Sequence, residues 1–282
     1  MKKVNDLKKY SKNVNSQFGE DGILEKIFQI IPDSDKWCVE FGAWDGKFLS
    51  NCYHLISSHN WSSVMIEANT DRFKELKDNH GANSNVFLIN KFVEFEGDNT
   101  LDLILKETPI PQSFDLLSID IDGNDYHIWD SLNVYSPKVV IIEFNPSIPS
   151  DIEFVQKRDF QLNQGSSLNS ICQLAKSKGY ELISTTDCNA IFVKQQYFDL
   201  FGIKDNSHFT IWDTEVDAPR VFHLYDGTIV LTKEFTLSWS DVNVGIYDLQ
   251  KVPDNLRFYK DSQTKSKSGF KLLKSKVKSL LR

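Results

Sequence analysis

Val39-Glu40-Phe41-Gly42-Ala43-Trp44-Asp45-Gly46 is the stretch that decides the fold. A short apolar run (Trp37, Cys38, Val39) leads into it, and the residues from 47 to about 58 read as a helix. A strand that ends in an acid and a glycine-spaced turn, then opens a helix, has the form of a nucleotide-cofactor loop. Gly42 and Gly46 permit backbone conformations, and a close approach to a ligand, that a side chain would block. The order is Glu-x-Gly-x-x-x-Gly, not the Gly-x-Gly-x-x-Gly that cradles a dinucleotide pyrophosphate. A tight structural turn is the competing reading.

A second apolar run, Ser63-Val64-Met65-Ile66, ends at Glu67, 22 residues after Asp45. In Rossmann-like folds an acid at this distance, on the tip of the next strand, holds a ribose diol. Two adjacent hydroxyls donate to two carboxylate oxygens, which an amide matches less well. An acid in the first turn suits a cofactor that brings positive charge, as S-adenosylmethionine does with its ammonium and sulfonium.

Further along, strands are expected at 62–67, 85–90, 114–119, 138–143, 180–185 and 190–194, and helices near 70–80, 99–107, 125–132 and 167–178. Continuous apolar strands alternating with amphipathic helices imply an α/β fold, a mostly parallel sheet covered on both faces. The last two strands have no helix between them and predict an antiparallel hairpin at the sheet edge. Four parts follow: an N-terminal helical segment (1–36), the α/β domain (37–204), a β-rich appendage (205–256) and a basic tail (257–282).

Composition narrows the function classes. In 282 residues, 40% hydrophobic and 12% aromatic content is enough to bury a real core. The opening seventeen residues are polar and charged, unlike a signal peptide, and no apolar run approaches a membrane span. The four cysteines lack CxxC spacing, so reduced thiols and a cytoplasmic location are expected. Residues 257–282 hold nine Lys or Arg and one acid, a net of +8, which leaves 23 basic and 38 acidic residues elsewhere, a net of −15. An acidic body argues against nucleic-acid binding. The tail places Phe270, Leu273, Val277 and Leu280 opposite Lys271, Lys274 and Lys278, the pattern of a basic amphipathic helix. Peripheral attachment to an anionic membrane and weak packing on the protein's own acidic body fit it equally.

A second group of acids lies at the ends of the fourth and fifth strands, in Asp120-Ile121-Asp122-Gly123-Asn124-Asp125-Tyr126-His127 and Glu143-Phe144-Asn145-Pro146. Adjacent strands would bring Asp120, Asp122, Glu143 and Asn145 to one rim, where ligands bind in open α/β sheets. Like charges gathered there repel unless a proton or cation intervenes. The oxygen-rich set Asp122, Glu143 and Asn145 suits Mg²⁺, Mn²⁺ or Fe²⁺. The competing reading is a polar turn capping the next helix, with Asp125 as its cap.

The chain resembles the FkbM-type family of S-adenosylmethionine-dependent O-methyltransferases over about residues 16–203. The resemblance rests on Ser16-Gln17-Phe18-Gly19-Glu20-Asp21-Gly22, Glu40 to Gly46, Ile66-Glu67-Ala68-Asn69, Ser118 to Asp125, Glu143 to Pro146, Gly165 to Leu168, Lys178-Gly179-Tyr180 and Asn189 to Val193. It implies a Rossmann-like class I methyltransferase fold with a seven-stranded sheet. It also implies that Glu40, Gly42 and Asp45 contact the methionine part of the cofactor, that Glu67 holds the ribose, and that Ala43 and Ala68 belong to the same cofactor-binding set. Asn90 would lie near the adenine, Asp120 beside the cofactor, and Ser16 and Gln17 would form an N-terminal clamp. Helix capping is the alternative for Ser16. A looser likeness to metal-dependent O-methyltransferases sets Asp122 three residues before a base at Asp125, with His127 as a competing base.

Members of the family act on sugars, so the expected acceptor is a hydroxyl of a nucleotide sugar or a surface-polysaccharide precursor. The expected reaction is in-line attack of that hydroxyl on the sulfonium methyl. A nicotinamide oxidoreductase would need the paired glycines and a Tyr-x-x-x-Lys element, which are absent. A non-catalytic binding module on a degenerate methyltransferase fold is the alternative of a different class.

Overall fold

The computed structural model describes residues 6–32, 34–212, 219–237 and 241–257. Seven strands form one sheet: β1 (Trp37–Phe41), β2 (Ser62–Ile66), β3 (Val86–Ile89), β4 (Leu116–Ile119), β5 (Val139–Glu143), β6 (Tyr180–Thr185) and β7 (Asn189–Lys194). Their order is β3-β2-β1-β4-β5-β7-β6. The first five are parallel, and β7 runs antiparallel to both β5 and β6. The expected terminal hairpin is therefore present, with its second strand inserted against β5. This is the class I methyltransferase order. The chain moves outward from β1 to β3, then returns to β4 on the other side. The crevice between β1 and β4 is the switch point at which such sheets bind ligands.

Alternation along each strand divides the core in two. Val39, Phe41, Val64, Ile66, Leu117, Ile119, Val140 and Ile142 face one layer with α4 (Leu101–Lys106), α5 (Asp125–Ser131) and α6 (Leu168–Ser177). Cys38, Met65, Leu116, Val139, Ile141, Ile191 and Val193 face the other, with α1 (Glu20–Ile30), α2 (Tyr53–His59) and α3 (Thr70–His80). By the same parity, Glu40 and Glu143 lie on the α1–α2 face, two positions beyond Cys38 and Ile141. Trp129 is 1% exposed and anchors the opposite face between Tyr180 and Phe192. All four cysteines are free.

One element differs from the sequence reading. The helix expected from residue 47 begins at Tyr53, and residues 42–52 form successive turns. Glu40 is the cause. Its carboxylate accepts the Ser50 hydroxyl at 2.5 Å and the Asn51 amide N–H at 2.8 Å. Ser50 Oγ then accepts the N–H groups of Cys52 and Tyr53, serving the open amide groups at the start of α2. The chain between strand and helix is thus wrapped around a carboxylate before it can coil.

Two compact units divide the chain at residues 216/217. Residues 205–212, expected in the appendage, belong to the first: after α7 (Gln195–Phe198), α8 (His208–Ile211) leads into Trp212, which packs edge-on against Phe144 at 4.8 Å in the core. The second unit holds small antiparallel pairs, β8 (Val221–His223) with β9 (Ile229–Leu231) and β10 (Phe235–Thr236) with β11 (Asn243–Val244). The basic amphipathic tail lies, from residue 258 onward, outside the described residues. Among the described residues no helix is long and apolar enough to cross a membrane.

Candidate active site

Each of the five parallel strands delivers one acid or amide to the same rim. Glu40 is the penultimate residue of β1, and Glu67, Asn90 and Asp120 directly follow β2, β3 and β4. Glu143 ends β5. The register sets Phe41 against Ile66 and Ile119, and Ile119 against Ile142, so these residues end level with one another.

At the β1–β2 end, backbone N–H groups and the Ser50 hydroxyl hold the carboxylates. Besides Ser50 and Asn51 on Glu40, Glu67 accepts the amide N–H groups of Trp44 at 2.8 Å and Asn69 at 2.6 Å. Asn90 donates its side-chain N–H to the carbonyls of Glu67 and Ala68, at 2.7 and 3.3 Å, bracing the end of β2. Asp45 closes its own turn by accepting from Lys47 and Phe48. The buried Ala43 donates its N–H to Ile66 O and accepts from Gly46. A carboxylate offers about four acceptor sites, so Glu40 and Glu67 each keep room for a ligand's donors.

Both glycines of the turn answer to the protein itself. Gly42 has φ +73°, and a Cβ there would stand 2.1 Å from the Asp120 carbonyl oxygen. Gly46 has φ +72°, and its Cβ would meet Leu76 at 2.3 Å and the His80 ring at 2.8 Å. Gly42 thus lets β1 close against the end of β4, and Gly46 lets α3 seat on the loop.

The β4–β5 end is different. Asp120, Asp122 and Glu143 each offer an oxygen within 4.8 Å of the others. No hydrogen-bond donor among the described residues serves them. Asp120 is exposed, yet protein atoms crowd most of its surroundings. That desolvation, then Asp125, Asp122, Glu40 and Glu20, pushes its pKa up. Glu143 is pushed up by burial first and then by Asp120, Asp125 and Asp122. Burial also raises Glu40, to about 7, against the lowering effect of its Ser50 and Asn51 hydrogen bonds. An all-oxygen set of repelling acids fits a hard divalent cation, and fits a shared proton equally well.

The remaining sequence candidates are engaged elsewhere. Asp125 is buried, and its two oxygens accept the N–H groups of Ile121 and Gly123 at 3.0 and 2.9 Å. It closes the turn that holds Asp122 at φ 55°, a left-handed conformation that Asp tolerates better than most residues. Burial raises Asp125 to about 6. Asn124, not Asp125, occupies the cap position of α5. His127 donates Nε2–H to the Gln156 carbonyl at 2.6 Å, while its Nδ1 faces Arg158 Nε at 3.4 Å, and burial lowers its pKa. Asn145 uses its amide N–H on Gln164 O and its oxygen on Ser147. The structure therefore puts Asp120 with Asp122 and Glu143, and commits Asn145 to a turn.

The N-terminal segment packs beside the rim. Asp21 Oδ2 gathers the N–H groups of Val14, Asn15 and Ser16 and the Ser16 hydroxyl, all within 2.8 Å. Ser16 Oγ returns a bond by accepting from Asp21 N at 3.1 Å. Gln17 is exposed. Glu20, fully buried, accepts the Thr186 hydroxyl and the Asn189 side-chain N–H, tying α1 to the β6–β7 turn beside Glu143. Sequence reasoning gives Glu20 no role in the site and does not single out Ser50 or Asn51. Glu20 lay inside the motif around Ser16 and Gln17, whereas Ser50 and Asn51 were hidden in an expected helix.

The family model described as the methyltransferase FkbM domain matches residues 96–182, which include β4, β5 and the carboxylate trio. Over those residues the chain is similar to FkbM-type methyltransferases. Among solved structures, this domain is similar to a S-adenosylmethionine-dependent methyltransferase from Aquifex aeolicus, with 10% identity, 62% of this chain and 89% of that one covered, and a TM-score of 0.38. It is similar also to the N-terminal domain of EvdMO1 in the presence of S-adenosylhomocysteine and D-fucose, with 13% identity, 62% and 82% covered, and a TM-score of 0.38. A glycopeptide N-methyltransferase, MtfA, matches with 8% identity, 65% and 88% covered, and a TM-score of 0.38. No curated protein matches the sequence. Strand order, not these likenesses, establishes the fold of this domain.

Proposed function

We propose that this FkbM-type domain transfers a methyl group from S-adenosylmethionine to a hydroxyl of a sugar, carried as a nucleotide sugar or surface-polysaccharide precursor. The observation that supports it is the rim itself. Glu40 and Glu67 are aimed by backbone donors, one strand apart from a trio of unserved carboxylates.

S-adenosylmethionine supplies an electrophilic methyl on a positively charged sulfur. Glu40 receives the donor's ammonium, and Glu67 accepts from its ribose hydroxyls. Gly42 and Asp45 shape the turn between them, with Ala43 packed beneath, and Asn90 keeps the ribose-side backbone in place. Much of the acceleration then comes from alignment of hydroxyl, methyl and leaving sulfur.

An alcohol must lose its proton as it attacks. A divalent cation bound by Asp120, Asp122 and Glu143 would lower the pKa of an adjacent hydroxyl. Without a cation, the alternative is that the proton passes to an ionised carboxylate oxygen of the Asp120–Glu143 pair. Burial and mutual repulsion push Asp120 to about 8 and Glu143 to about 9, so the pair holds a proton tightly once ionised, and this route gains as pH rises above neutral. Asp125, which closes the turn around Asp122, and His127, bonded to the Gln156 carbonyl, serve the architecture of that turn.

A screen of nucleotide sugars with labelled S-adenosylmethionine, with and without Mg²⁺, Mn²⁺ or Fe²⁺, tests the reading. Label transfer to a sugar oxygen that stops on chelation supports it in full. Transfer unaffected by chelation removes the cation and leaves the proton-accepting pair. No transfer to any sugar hydroxyl, with donor binding intact, refutes the acceptor assignment.

A further inference from the structure

Glu25 on α1 and His54 and His59 on α2 form a second cluster, in which each offers one ligand atom within 4.8 Å of the others. His54 is only 9% exposed, and its Nδ1 is buried without a hydrogen-bond partner. Its Nε2 lies 3.8 Å from Glu25 Oε2, beyond hydrogen-bond length. The two imidazoles meet edge to face with centroids 5.1 Å apart. Glu25 and His59 are half-buried, which leaves an approach from solvent.

With Nδ1 unpartnered and Nε2 beyond hydrogen-bond length of Glu25, the buried His54 ring is under-satisfied beside a second imidazole and a carboxylate. We propose that Glu25, His54 and His59 bind a divalent transition-metal ion of the zinc class, with water completing the coordination. Two nitrogens and one carboxylate oxygen suit zinc, cobalt or nickel, whereas magnesium and calcium favour all-oxygen sets such as the Asp120–Asp122–Glu143 trio. The ion ties α1 to α2. Asp21 in the first turn of α1 organises residues 14–16, and α2 follows the loop wrapped around Glu40. Its role is therefore structural, locking the N-terminal segment to the cofactor loop.

The test uses the full chain, stripped with chelator and titrated with Co²⁺ as a visible probe. One equivalent should give an absorption band, be displaced by Zn²⁺ but not by Mg²⁺, and raise the melting temperature. His59→Asn and Glu25→Gln should each weaken Co²⁺ binding at least about tenfold, with circular dichroism confirming the fold. Asp122→Asn should leave the band unchanged. The inference is overturned by wild-type protein that shows neither band nor thermal shift. It is overturned equally if both cluster variants bind like wild type, or if Asp122→Asn alone removes the band.

Discussion

The two ends of the rim are built on opposite principles. Around β1 and β2, the rim carboxylates of Glu40 and Glu67 already accept hydrogen bonds from the protein, which fixes their direction in the fold. Around β4 and β5, Asp120, Asp122 and Glu143 crowd together with no protein donor among the described residues. The first arrangement is complete as folded and ready for a cationic ligand. The second is finished only by a proton or a cation, which suits groups that must exchange protons during a reaction. In the proposed reaction, binding and chemistry are thus separated along one sheet edge, and substitutions should separate them too.

Glu143→Gln should have the largest effect, a fall in turnover of about 10²–10⁴-fold with S-adenosylhomocysteine affinity preserved. Steady-state kinetics beside calorimetry would show it, and loss of both together would break the division. Gly42→Ala comes next. It forces a side chain into a left-handed conformation and against the Asp120 carbonyl, at a cost of roughly 2–5 kcal/mol in denaturant unfolding. A stability change under about 1 kcal/mol would show that the β1–β4 approach is looser than described.

The pH dependence tests the first end alone. Glu40 has its folded pKa raised to about 7, above its unfolded value, so its ionisation opposes folding as pH climbs from the ordinary carboxylate range through 7. An ammonium ligand selects the ionised form. Affinity for S-adenosylhomocysteine should therefore rise by about tenfold from pH 6 to pH 8, while the unliganded protein loses stability over the same interval. Flat affinity would remove Glu40 from the ammonium site. Asp125→Asn should do least, costing about 1–2 kcal/mol of stability through one lost turn bond. Its activity per folded molecule should stay within a few-fold of wild type. A turnover loss as deep as that of Glu143→Gln would move the base to Asp125.

Much of this was legible in the sequence. Parallel buried strands read as unbroken apolar runs, so β2, β4 and β5 stand out, and acids directly after such runs must reach the carboxyl rim. Side-chain commitments were not legible. The spacing of Asp122 and Asp125 looks like a ligand and a base, yet both oxygens of Asp125 are taken by backbone N–H groups four and two residues upstream. Asn145 follows β5 where a ligand would sit, but its amide bridges Gln164 and Ser147 across a loop that no local pattern announces. The late start of α2 has the same origin, because a long-range carboxylate from β1 competes for Ser50 and Asn51. The Gly42–Gly46 spacing signalled the turn, although the close approaches it permits are to β4 and α3.

Calorimetric titration of the full chain and of Glu40→Gln with S-adenosylhomocysteine at pH 8 is the most direct test of the central claim. Saturable binding at one site per chain, weakened at least about tenfold by the substitution, is the predicted result. Equal affinity in the two proteins, or no binding by the wild type, would contradict it.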